Sequence, residues 1–280
     1  MKGLNHLVIA AHDLDALCAT WAELGFSLTP RGQHPFGTGN AIVQLHGCYL
    51  ELLSVTIAAE VIEHGARQFS FSAFNRDYLA RHEGFSMMVL GTADAAADIA
   101  AWRKSGLQTY EPFEFSRLAK MPDSEEVRVG FSLAFVTTPA APWLGHFACQ
   151  HYRPEYYAQP HFQRHENTAQ RVRDVWISGV GALALANHLS IMIGAPPTVT
   201  EPERIVFRTP TGDIVLATPA SFEAAFGTPL PHREDGPHLA GLTIGCATLD
   251  WFAGGDLMQI GKRLVLEPSR CFGTAVAFST

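Results

Sequence analysis

Charge is scarce in this chain of 280 residues: Asp, Glu, Lys and Arg make up 17%, against 47% hydrophobic residues. The 20 basic side chains are outnumbered by 27 acidic ones, giving a net charge of -7 and an isoelectric point near 6.0. That balance argues against nucleic acid or an anionic membrane as a partner, since both are held by basic patches. Cysteine is sparse too. Cys18, Cys48, Cys149, Cys246 and Cys271 are scattered, odd in number and never spaced C-x-x-C. Neither a disulfide framework nor a zinc ribbon fits, and the pattern reads as reduced, buried thiols in a cytoplasmic setting.

Long hydrophobic runs are also missing. His6, His12, Asp13 and Asp15 interrupt the N-terminal apolar residues before a signal-peptide core can form. Residues 175–194 contain Gly179, Gly181, Asn187 and His188, and read as strand, turn and helix. A membrane span would need about 20 apolar residues in succession. No G-x-x-x-x-G-K-S/T occurs, so the glycines of HPFGTGN (34–40) are not a phosphate loop. GVGALALA after VWIS lacks the third glycine and the following acid of a dinucleotide loop, and no G-x-S-x-G elbow is present.

What is present is a repeating order of elements. LNHLVIAA reads as a buried strand, HDLDALCATWAELGF as a helix capped by Asp13 or Asp15 and closed by Gly25, and FSLTP, AIVQLHG and CYLELLSV as three further strands. GFSMMVLG and TADAAADIAAWRKSGL restart the same order. Trp21 with Trp102, Gly25 with Gly106 and Asp13 with Asp94 coincide at one offset of 81 residues, which indicates duplication. VRVGFSLAFVTT and HFACQHYR supply this unit's later strands. A third unit starts at RVRDVWISG, with a helix ended by Gly194 and a hairpin around Thr211-Gly212. A fourth runs from HLAGLTIGC to KRLVLEP and TAVAFST. The expected fold is α+β, built from βαβββ modules at about 3–55 and 84–152 with an insertion at 56–83. A second, more divergent pair fills 169–280, and the polar stretch 153–168 is a linker or a site-lining loop.

The combination of DLDAL, RGQHPFGTGN, CYLELL and ACQHYRPE followed by HFQRHEN resembles the glyoxalase-like domains of the vicinal oxygen chelate superfamily. The resemblance implies half-open mixed β-sheet cups and a divalent metal held by the first and last strands of each module. Position by position, His6 and Glu51 match the two ligands of the first module. The 81-residue offset puts Met87 where the second module's histidine belongs, and its last strand offers Gln150 or His151. The expected metal set is therefore His6, Glu51 and Gln150, or His151 in its place, around Fe, Mn, Zn or Ni, with a metal-free cup as the alternative.

The residues have plainer readings as well. A carboxylate in CYLELLSV is costly to bury unless it is paired, hydrogen-bonded or metal-bound, so Glu51 is either functional or a structural acid joined to a group such as Arg31. His6 alone would be an ordinary core histidine. Glu51 and His151 are the expected proton-transfer groups, with Arg31, His34, Asn40, Gln150, Arg153, His165 and Asn167 as substrate contacts. His34 and Asn40 are expected at the cup's rim, while Gly37 and Gly39 shape the turn. The function implied is an isomerase, lyase or dioxygenase acting on a small molecule with adjacent oxygens, as a monomer or homodimer. The alternative is a non-catalytic protein of the same fold that sequesters a small molecule, favoured by the adaptable Met87 and Met88.

Overall fold

Three residues past the apolar strands that end at Ala10 and at Gly91, an aspartate caps a helix. Asp13 accepts hydrogen bonds from the amides of Asp15 and Ala16, and Asp94 from that of Ala97, satisfying N–H groups that a helix leaves open. Leu17 and Trp21 form the buried face of one helix, Ile99 and Trp102 that of the other. Gly25 and Gly106 follow the two helices, both at φ +85°. The duplication inferred from the sequence is thus carried by cap, buried face and stop signal together.

The computed structural model describes residues 1–120, 126–156 and 158–280. The first module comprises β1 (Leu4–Ala10), α1 (Leu14–Glu23), β2 (Gly32–Gln33), β3 (Thr38–Gln44) and β4 (Tyr49–Val55). After α2 (Phe71–Leu79) come β5 (Gly84–Gly91), α3 (Ala95–Lys104), β6 (Gln108–Thr109), β7 (Phe113–Lys120), β8 (Glu126–Thr137) and β9 (Gly145–His151). The remaining chain forms β10 (Ala169–Ser178), α4 (Ala186–Ile193), β11 (Val199–Thr200), β12 (Arg204–Phe207) and β13 (Asp213–Ala217). It ends with α5 (Pro219–Phe226), β14 (His238–Cys246), β15 (Met258–Ile260), β16 (Arg263–Leu266) and β17 (Ala275–Ser279). Among the described residues no helix is long and apolar enough to cross a membrane, and all five cysteines are buried and free.

Two mixed sheets result. One has the order β2-β3-β4-β1-β5-β9-β8-β6 with β7 on β8, the other β11-β12-β13-β10-β14-β17-β16-β15. In each, two modules meet along an antiparallel seam, β1 with β5 or β10 with β14, while the first and last strands of a module run parallel. The central strands are buried on both faces, which explains their nearly continuous apolar runs. One face of β1 gives Leu7 and Ile9 to a large core shared by both sheets and α1, α3 and α4. The other gives Val8 and Ala10 to the interior of the first cup. Met87 lies in that interior, but Met88 points to the shared core, so only one of the two methionines lines the cup.

The insertion 56–83 has a counterpart. α2 follows the last strand of module one, and α5 follows the last strand of module three. Ser70 and Thr218 cap them, and both drop aromatic side chains into a cup. Phe71, Phe74 and Tyr78 enter the first. Phe222 and Phe226 enter the second, stacked at 4.6 Å between centroids, with Trp176 edge-on at 5.5 Å to Phe226.

Candidate functional site

The first cup closes around one carboxyl group. Glu51 projects inward from β4, opposite Val8 of β1, and is only 5% exposed. Asn40, on neighbouring β3, donates its amide N–H to Glu51 Oε1 at 2.5 Å. Two imidazoles approach from either side: His6 Nε2 lies 3.7 Å from Oε2, and His34 Nε2 3.7 Å from Oε1. These spacings are too long for direct hydrogen bonds. The cavity between them, about 30 Å³, is lined by Phe36, Phe71, Phe115, Phe131 and Phe147 beside the polar groups.

Hydrogen bonds fix both rings in one tautomer. His6 Nδ1 lies 2.7 Å from Asn5 Oδ1, which can only accept, so the proton sits on Nδ1. His34 Nδ1 lies 2.9 Å from Thr38 Oγ1, and its Nε2 faces the Asn40 amide, a donor, at 3.5 Å. Each ring therefore turns an Nε2 lone pair toward the carboxyl. Burial lowers His6 well below its ordinary pKa, aided by His151 and His34. Burial, with a smaller push from Arg117, brings His34 down to about 3. Burial raises Glu51, opposed by the Asn40 bond and by Arg117. Burial thus disfavours charge on the carboxyl and on both imidazoles.

The cup opens onto a groove of about 690 Å³ at the strand ends, whose lining includes Asn5, Gln44, Tyr49, Cys149 and His151. Tyr49 and Cys149 line both cavities. His151 projects toward the groove, with Nε2 3.1 Å from Asn5 Oδ1. Asn5 thus joins His151 to His6. His34 and Asn40 point into the cup beside Glu51 rather than standing at its rim, because the HPFGTGN turn folds back: His34 N–H donates to Thr38 O. Gly37 takes φ +82°, and a Cβ there would lie 2.5 Å from the Ile57 carbonyl oxygen.

The other expected contacts lie elsewhere. Gln150 is on the opposite face of β9, where its Oε1 accepts from Ala95 N–H at the start of α3, so it cannot join His6 and Glu51 around a metal. Arg31 lines a small chamber beyond Asn40, outside the cup, where Asp15 at 2.6 Å, the Leu14 carbonyl and Cys18 engage it. Arg153 is exposed and pairs with Glu155 and the Tyr156 ring. His165 accepts from Ser27 N–H and donates to Gln44 O, while Asn167 bonds Leu24 O and Ala169 N–H. Both hold the 153–168 loop to the first module. Asn5, Phe115 and Arg117 were not singled out in the sequence. The alternation of FEFSRLAK, which puts Phe113, Phe115 and Arg117 on one face of β7, was the available signal.

A four-ligand metal set does not fit this cup. β1 pairs Val8 with Glu51, and β5 pairs Val89 with Phe147. The second module's counterparts of His6 and Glu51 are thus Met87 and Phe147, not Gln150 or His151. A buried thioether and a phenyl ring do not ligate hard or borderline cations. Among the described residues no group of three or more His, Cys, Asp or Glu side chains could hold a metal ion.

Paired βαβββ cups with a polar centre between first and last strands define the vicinal oxygen chelate fold. Over residues 4–192 the chain matches the family described as glyoxalase-like domain, and it belongs to that family. No curated protein matches it in sequence. Among solved structures, a hypothetical protein from Staphylococcus aureus superposes with a TM-score of 0.71 at 12% identity, covering 100% of this chain and 99% of that one. A mutant 4-hydroxymandelate synthase from Streptomyces coelicolor gives 0.55 at 10% identity, covering 99% and 92%. A xylose isomerase-like TIM barrel/4-hydroxyphenylpyruvate dioxygenase fusion protein gives 0.53 at 12% identity, covering 99% of this chain and 49% of that one. At these identities the likeness is one of fold.

Proposed function

We propose that this protein is a small-molecule enzyme that moves a proton to or from a carbon or oxygen next to a carbonyl, with Glu51 as the acid–base group. The carrying observation is the buried Glu51 carboxyl, held on Oε1 by Asn40 and faced by two imidazole Nε2 atoms at 3.7 Å each. A carboxyl whose pKa is raised toward neutrality can take a proton and return it, as isomerisation and elimination require. Asn40 keeps one oxygen oriented and leaves Oε2 for the moving proton. Asn5 keeps the His6 proton on the far nitrogen, so Nε2 stays available as an acceptor. The phenylalanines exclude water, which strengthens each of these interactions. The groove admits the substrate.

The test is deuterium wash-in from D2O, read by proton NMR over 2-oxo acids, hydroxyaldehydes and acyl thioesters. Wild type exchanges a C–H beside a carbonyl, and Glu51→Gln loses roughly 100-fold or more of that rate. Equal rates in the two proteins would sink the proposal. The second reading is sequestration of an aromatic ligand without turnover. It is favoured by the five phenylalanines around the cavity, and tight aromatic binding with no exchange of any C–H would establish it instead.

A further inference from the structure

We infer that the substrate of this cup carries a carboxylate, and that Arg117 receives it in a small chamber across Asn40 from Glu51. The inference deepens the proton-transfer reading and rests on it for the position of the reacting carbon. The chamber holds about 70 Å³ and is lined by Thr29, Asn40, Gln44, Arg117, Tyr156 and Gln159 among others. That is room for roughly two waters, or for one carboxylate. Asn40 is the partition: its side chain lines this chamber while its amide holds Glu51.

Eight arginines, Arg31, Arg67, Arg76, Arg81, Arg103, Arg153, Arg204 and Arg233, each pair with a carboxylate. Arg117 makes no ion pair with any described residue. One of its terminal nitrogens bonds the neighbouring Leu118 carbonyl at 3.2 Å, and its buried Nε has no partner. The side chain is half-buried, and its guanidinium fork matches a carboxylate in two parallel bonds. The wall opposite is built to leave it space. A Cβ on Gly32 would lie 2.5 Å from Asn40 Oδ1 and 3.2 Å from Arg117 Nη1.

The charge of Arg117 also reaches the centre, where it opposes the rise of the Glu51 pKa. An arriving carboxylate cancels that field, so substrate binding makes Glu51 the stronger base. Asn40 bonds Glu51 and lines the chamber, so the carboxylate and the proton that moves lie close together in one small acid. A 2-oxo or 3-oxo acid meets both conditions.

The test measures binding of pyruvate and acetoacetate against their methyl esters by saturation-transfer NMR and calorimetry. Wild type, Arg117→Ala, Arg117→Lys and Glu51→Gln are compared. Wild type prefers the acids by roughly 10- to 100-fold, the range expected for a charge-assisted pair. Arg117→Ala abolishes the preference, Arg117→Lys keeps part of it, and Glu51→Gln keeps all of it. Equal binding of acid and ester, binding of neither, or a preference unchanged in both Arg117 variants overturns the inference. If Arg117→Ala does not fold, Arg117→Lys decides by the size of its preference. Acid-selective binding without Glu51-dependent exchange leaves the anion site standing and removes the proton-transfer reading. Glu51-dependent exchange that is equally fast for acids and esters does the reverse.

Discussion

Acidification should unfold this protein through its buried imidazoles. Burial brings His34 and His146 down to about 3, and neither is more than 5% exposed. His34 sits in the cup. His146 lies against the second half, its Nδ1 donating to the Leu144 carbonyl and its Nε2 2.6 Å from His188 Nε2. In the unfolded chain each titrates near 6.5. The sign follows from these values. Above about pH 6.5 both states are neutral and nothing is lost. Below it the unfolded chain binds protons that the folded chain refuses, so stability falls by about 1.4 kcal/mol per pH unit for each histidine. Near pH 5 that amounts to about 2 kcal/mol apiece, against a typical total of about 5–15 kcal/mol. His6 shifts in the same direction and adds to the loss. Glu51 works against it, since a raised carboxyl pKa means stability gained as pH falls toward the unfolded value. Urea unfolding followed by circular dichroism near pH 7, 6 and 5 reads the slope. The double variant His34→Gln/His146→Gln should flatten it by about two protons. Equal stability near pH 7 and pH 5, or a slope unchanged in the double variant, refutes the reasoning.

Asn40→Ala removes the bond that lowers the Glu51 pKa, so the basic-side rise of the exchange rate should move to higher pH, with about a tenfold loss of rate below it. A pH–rate profile checks this. Dialysis against a chelator should leave the exchange rate unchanged, and loss restored by one divalent metal would show that His6 and Glu51 find further ligands. Phe222→Ala opens a void in the second cup and should cost about 3–5 kcal/mol in urea unfolding, while acid binding in the first cup stays unchanged. Gly37→Ala forces φ +82° and a 2.5 Å approach to the Ile57 carbonyl oxygen on a residue with a Cβ. It should cost about 1–3 kcal/mol and weaken acid binding by displacing His34.

The sequence carried the fold further than the site. Strand, aspartate cap, buried tryptophan and stop glycine are local signals, and their recurrence at 81 residues marks two stretches with the same order of elements. The site depends on which face of a strand a residue occupies. A one-residue change of parity separates His151, at the groove, from Gln150, at the helix start. Strand-end residues such as ACQHY give no alternation to fix that parity. Asn167 and His165 looked like ligand contacts because they are polar within a loop, yet backbone groups use up their hydrogen bonds. Arg117 was passed over because its strand pairs only with β8 at the margin of the sheet, outside the four strands a module requires. Phe147 could not be matched to Glu51 until the register of β9 was known.

The core that both sheets share has a consequence for any attempt to divide the protein. Leu7 and Ile9 of the first sheet and Val175 and Ile177 of the second belong to one buried cluster, together with α1, α3 and α4. The second sheet, whose own cup is plugged by two phenylalanines, serves the first as a tethered cover for its back. A fragment ending at 168 would present that back to water as a broad apolar face. It should self-associate or recruit the missing half added in trans, and gel filtration of the fragment with and without 169–280 would show which.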